Sequence, residues 1–151
     1  MMDERGVSTV VSYVLVLGIA AILVSGVFTA TGVVLEREHE QTIRSEMEVV
    51  GNQVAADIAV ADRLATHAGA SGTVAVTSDV PDRIARTQYR IEIVAAESDG
   101  QYEIRLQSVD PAVRITVDAR SDTPIEPGTV DGGTLEIVFH TEAGTLEVRN
   151  G

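Results

Sequence analysis

The spacing of hydrophobic positions along this chain changes twice. From Val7 to Leu35 no residue is charged. From Glu36 onward polar residues return, and Ile43, Met47, Val50, Val54, Ile58, Ala61 and Leu64 recur at steps of three and four, the stripe of an amphipathic helix. The turn-rich stretch Ala68-Gly69-Ala70-Ser71-Gly72 ends that pattern, and beyond it the period is two. Tyr89, Ile91 and Ile93 alternate with Arg90 and Glu92, while Tyr102, Ile104 and Leu106 alternate with Glu103, Arg105 and Gln107. Such strands have one apolar and one polar face. Ser98-Asp99-Gly100 between them reads as a hairpin turn. Across that hairpin Arg90 and Glu92 are expected to face Glu103 and Arg105. Further strands are expected around Val74 and Val76, Val113 to Val117, Leu135 to Phe139, and Leu146 with Val148, with Ala143-Gly144 closing a last hairpin. The stretch from Asp122 to Gly133, with Pro124, Pro127 and paired glycines, reads as an exposed loop.

These elements predict an α+β fold: a long N-terminal transmembrane or stalk helix followed by a small antiparallel β-sheet or sandwich, packed in part on the amphipathic helix. The uncharged run exceeds the roughly 20 residues that cross a bilayer core of about 30 Å. Its Val, Leu, Ile and Phe residues favour insertion by roughly 4 to 8 kcal/mol. No proline interrupts Val7 to Ala65, so one helix of roughly 90 Å is possible, half in lipid and half outside. Gly51 costs that helix about 1 kcal/mol and marks a possible bend, as do Gly18, Gly26 and Gly32 in the apolar part. Ala21 with Ser25, and Gly26 with Ala30, are small residues four apart, the spacing that lets membrane helices approach closely.

Composition narrows the partners. The net charge of -12 leaves no clustered basic surface for nucleic acid or an anionic membrane face. All 11 basic residues are arginine. The absence of lysine resembles the proteomes of salt-adapted archaea, where concentrated salt screens the repulsion of an acidic surface; GC-rich coding gives the same bias. Without cysteine there is no disulfide framework, thiol nucleophile or thiolate metal site.

The junction Arg5-Gly6-Val7-Ser8-Thr9-Val10-Val11 narrows the class further. A basic residue and a glycine directly before an apolar helix that opens Val-Ser resemble the leader of archaeal type IV pilins and pilin-like proteins, with a haloarchaeal cast from the composition. The resemblance covers about the first 30 residues. It implies a cytoplasmic leader over residues 1–6, cleavage by a prepilin peptidase at Arg5, Gly6 and Val7, a transmembrane and filament-core helix over 7–35, an extended amphipathic helix over 36–68 and an extracellular β-domain over 69–151. Glycine before the scissile bond suits a peptidase that must bring the backbone close to its carboxylates. Ala21, Ser25, Gly26 and Ala30 are the expected helix-packing positions, and the partners implied are the peptidase, other pilin subunits with their assembly machinery, and the membrane. The fifth mature position is Val11, where bacterial type IV pilins usually carry Glu, so the bacterial assembly contact does not carry over.

Little else suggests chemistry. His39, His67 and His140 lie far apart in the chain and share no metal-ligand spacing. Asp79, Asp82, Asp122, Glu126 and Asp131 lack the spacing of a calcium loop and read as a solvated acidic surface. No phosphate loop or nucleophile elbow occurs, and few aromatic residues are available as a stacking platform. The expectation is therefore a subunit without enzymatic activity or cofactor, metal included. It is a minor-pilin-like component of an adhesive surface filament or, as the alternative, a non-assembling membrane-anchored surface protein whose β-domain binds a ligand or senses the envelope.

Overall fold

The computed structural model describes residues 3–68 and 74–151, with side chains left aside at 3–9, 28–37 and 68. The expected turn at Gly69-Ala70-Ser71-Gly72 lies outside the described residues. Helix α1 spans Asp3–Ala68, and among the described residues seven strands follow: β1 (Val74–Asp79), β2 (Tyr89–Ala95), β3 (Gln101–Ser108), β4 (Arg114–Arg120), β5 (Gly128–Asp131), β6 (Thr134–His140) and β7 (Thr145–Asn150). The fold is α+β with a long N-terminal helix, as expected. Two compact units divide it, Met1–His39 and Glu40–Gly151. Helix residues from Glu40 on thus belong with the sheets.

In the second unit the strands form two antiparallel sheets, ordered β1-β6-β7 and β4-β3-β2-β5. The helix packs on both. Ile43, Met47, Val50, Val54, Ile58, Ala61 and Ala65 are at most 4% exposed and share a core with Ile91, Ile93, Ile104 and Leu106 of one sheet and Leu135, Ile137 and Leu146 of the other. The spacing from Ile43 to Val54 repeats from Val54 to Ala65, an 11-residue period that keeps one nearly straight face inward. Leu64, expected in this stripe, is instead 47% exposed. The face closes on the smaller Ala65 because a step of four from Ala61 holds the period.

Gly51 marks a close approach rather than a bend. The helix continues through it, and a Cβ there would stand 2.7 Å from Val117 Cγ2 and 3.1 Å from Leu106 Cδ1. Polar contacts fix the remaining helix faces. The Ser78 hydroxyl donates to Asp57 at 2.5 Å, and the Gln53 amide donates to the Asp79 carbonyl at 3.0 Å. The Asp62 carboxylate accepts the N–H groups of Asp122 and Thr123 at 3.1 and 2.8 Å. Burial raises the Asp62 pKa, but the hydrogen bonds from Thr123, Asp122 and Ser121 outweigh it and hold the carboxyl below its usual 3.8.

Two sequence expectations need correction here. The stretch 122–133 is not one exposed loop: Ile125 and Val130 are buried, and β5 within it pairs with β2. Its backbone is used throughout, since Ile125 donates to the Tyr102 hydroxyl at 2.9 Å, Glu126 to Leu146 at 2.8 Å, and Asp131 exchanges two hydrogen bonds with the Asn150 side chain. Those contacts join the two sheets at β5 and β7. In the β2–β3 hairpin Glu92 does pair with Arg105, but Arg90 pairs with Gln107 and Glu103 with Val94. One antiparallel register cannot satisfy both expected ion pairs. Arg90 turns to Asp131 of β5 at 3.5 Å, while Arg105 reaches Glu103 along its own strand at 2.8 Å. The turn itself is as expected: Gln101 donates to the Ser98 carbonyl, and Gly100 takes φ 73°.

Candidate functional site

The first unit offers a long apolar surface. Val10–Val27 is a helix long and apolar enough to cross a bilayer, by length and composition, as a membrane anchor or a signal sequence would be. Its large side chains are 51–73% exposed, Tyr13 and Ile22 among the most open. Ala21, Ser25 and Gly26 lie on this exposed helix, and a Cβ at Gly18 or Gly26 would meet nothing within 4 Å. The side chain of Ala30 falls outside the described set. Arg5, Gly6 and Val7 belong to the helical backbone of α1, and their side chains also fall outside that set.

The second unit offers a polar surface that pattern reading missed. Strand register aligns the outward side chains of the four-stranded sheet in rows. One row runs Asp131, Arg90, Gln107, Arg114; the next runs Thr129, Glu92, Arg105, Thr116. Together with Asp82 and Arg83 from the loop before β2 they line an open groove of about 850 Å³. That loop is firmly built. Ile84 is buried, and Ile84 and Thr87 exchange backbone hydrogen bonds of 3.0 and 2.8 Å around Ala85 and Arg86. Both central residues have positive φ, 47° and 71°, which a two-residue primed turn demands and which non-glycine residues adopt at a cost. Tyr89 anchors the other side, donating to the Pro81 carbonyl at 2.5 Å. Burial, and then the nearby Asp82 carboxylate, push its phenol up to about 12, so it stays a donor at neutral pH. Gly132 gives the Tyr89 ring its room, since a Cβ there would fall 2.6 Å from the ring.

The other candidates stay dispersed. His67 Nδ1 lies 2.6 Å from the Arg63 carbonyl, and His140 Nε2 lies 2.7 Å from Glu147 Oε2; His39 is exposed on α1. Asp79 accepts from the Thr134 hydroxyl, Glu126 from that of Thr145, and Asp131 faces Arg90. Among the described residues no group of three ligand-type side chains gathers. The only advance signal for the groove was the outward alternation of Arg90, Arg105 and Arg114, which becomes a site only once register and the Arg83 loop are added.

No curated protein and no solved structure matches the chain. A model of a family of unknown function, DUF7266, matches residues 2–150, a range that takes in the apolar helix as well as both sheets. With nearly the whole sequence inside that match, the chain belongs to the DUF7266 family.

Proposed function

We propose that this protein is a pilin-like surface subunit of the archaeal type IV class, a minor component of an adhesive filament. The observation that carries this reading is the contrast between a fully exposed apolar helix at Val10–Val27 and a sheet domain whose core is already closed by its own helix residues. An apolar surface of that size needs a cover. A bilayer supplies it before assembly, and neighbouring copies of the helix supply it afterwards. The leader-like Arg5-Gly6-Val7-Ser8 sequence gives the step between the two states: cleavage after Gly6 by a prepilin peptidase releases the helix to leave lipid. Close helix packing then falls to Ala21, Ser25, Gly26 and Ala30, where small side chains let backbones approach. The sheet domain is displayed outside the cell, and the covalent chemistry belongs to the peptidase and the assembly machinery. The lysine-free acidic composition fits a salt-adapted host.

Intact-mass measurement of protein purified from producing cells tests this directly. Loss of residues 1–6 is expected, and a Gly6→Val variant should remain at full length. A native protein that retains Met1 would sink the reading. A second reading, a membrane-anchored protein that does not assemble, draws on the arginine-lined groove. Shearing cells separates them: recovery in the sheared filament fraction supports the subunit, and confinement to membranes supports the anchored receptor.

A further inference from the structure

Arginines are scarce in this acidic chain, yet four of its 11 line one groove. Arg83, Arg90, Arg105 and Arg114 share the lining with Asp82, Glu92 and Asp131, and Glu103 pairs with Arg105, so this surface is close to neutral on a protein of net charge -12. Row geometry sets their spacing. Arg90 and Arg114 flank Gln107 in one row, which places their backbones two strand spacings, about 10 Å, apart.

Their present partners are weak. Arg114 donates to the neutral Gln107 amide oxygen at 3.0 Å and, among the described residues, makes no ion pair within 4 Å. Arg90 meets Asp131 at 3.5 Å with both side chains mostly exposed, a pair that holds little energy in water. Arg105 differs, because Glu103 already accepts from its Nε and Nη2. The arrangement is two available guanidinium groups, each suited to two-point pairing with an acid, separated by an amide and bordered by the Thr116 and Thr129 hydroxyls. Acid, hydroxyl, acid is the matching order in a ligand.

We propose that this groove binds a linear acidic glycan carrying one carboxylate or sulfate for every two sugars, with successive acids on Arg90 and Arg114 and an intervening sugar hydroxyl on Gln107. A nucleic acid carries a charge at every nucleotide and would extend over the surrounding acidic surface. Anion recognition by guanidinium also needs no aromatic platform. The proposal rests on the outward display of the sheet domain in the reading above, but not on cleavage or assembly, so the failure of one is distinguishable from the failure of the other.

The chain in non-ionic detergent is titrated with an end-labelled hyaluronan octasaccharide at the lowest salt concentration that keeps the near-ultraviolet signal of the folded domain, and binding is followed by fluorescence anisotropy. Saturable binding is expected, and Arg90→Ala with Arg114→Ala should weaken it at least about tenfold, as loss of charge-assisted pairs implies. Arg63→Ala, a control on the exposed side of the helix, should leave it unchanged, and a neutral chitin oligosaccharide should not bind. Should the alanine pair disturb the near-ultraviolet signal of the folded domain, Arg90→Gln with Arg114→Gln carries the same comparison. Three results overturn the proposal: no saturable binding by the native chain, an equal loss in Arg63→Ala, or self-association that depends on Arg90 and Arg114 with no glycan binding.

Discussion

The residues of α1 in the two compact units meet opposite fates. Between Val10 and Val27 apolar side chains point in every direction and all are exposed; between Ile43 and Ala65 one apolar face is buried to within 4%, and only Val49, Val60 and Leu64 among the large apolar side chains of that stretch lie off it, exposed. Local propensity does not separate the two stretches. What separates them is that the second alternates apolar and polar at a helical period, and so needs only a one-sided partner, which the sheets provide. The first has no polar face to give to water, so no domain of this size could cover it. Hydrophobicity without periodicity calls for an environment; hydrophobicity with periodicity calls for a neighbour in the same chain.

The comparison breaks most readily at the core. Ile58 is fully buried, so Ile58→Ala should lower the stability of the sheet-bearing unit by about 2 to 5 kcal/mol. Leu17→Ala, at a side chain 52% exposed, should leave it unchanged. Urea unfolding followed through the near-ultraviolet signal of the buried Tyr89 and Tyr102 reads that unit. Equal losses from both substitutions would mean that the apolar stretch also contributes to the core.

A smaller effect tests the polar attachment of the second stretch. Asp62→Ala removes the acceptor for two backbone N–H groups and should cost about 1 to 3 kcal/mol at neutral pH. Its pH dependence has a definite sign. The folded carboxyl lies below the ordinary value of 3.8, so its contribution is fully present above that value and is lost as pH falls through the depressed folded value. The acid limb of the stability curve should therefore be steeper for the native chain than for Asp62→Asn. Parallel limbs would show that the carboxylate is not the attachment.

How much of this was legible depends on whether a feature is local. The stripe from Ile43 to Ala61 and the alternation from Tyr89 to Leu106 follow from spacing within single elements, and both are present. Strand β5 was not legible, because it is four residues long, only Val130 faces inward, it opens on Gly128, and Pro127, Gly132 and Gly133 flank it with turn signals. Tertiary pairing with β2 overrides those local preferences. The groove failed for the same reason: its arginines come from three strands and a loop, and only register aligns Arg90 with Arg114. Leu64 was misplaced because leucine outranks alanine in hydrophobicity, whereas packing against a sheet rewarded the position that kept the period.

The smallest expected effect is also the most direct comparison of the two stretches, because it makes one substitution in each. Alanine in place of an interior helical glycine gains up to about 1 kcal/mol from reduced backbone freedom in the unfolded chain. At Gly26 nothing lies within 4 Å of the added methyl, so Gly26→Ala should keep that gain as slower amide exchange in the apolar helix. At Gly51 the same methyl meets Val117 Cγ2 at 2.7 Å and Leu106 Cδ1 at 3.1 Å. Overpacking of this kind costs about 1 to 3 kcal/mol, which exceeds the propensity gain, so Gly51→Ala should destabilise the sheet-bearing unit by about 1 kcal/mol net. The clashing atoms name the remedy: Val117→Ala removes the nearer methyl, and in the double variant the propensity term should reappear as a favourable coupling in a double-mutant cycle. A Gly51→Ala variant as stable as the native chain would show that helix and sheet are free to separate by a few tenths of an ångström, and that the close approach at Gly51 follows from the glycine instead of requiring it.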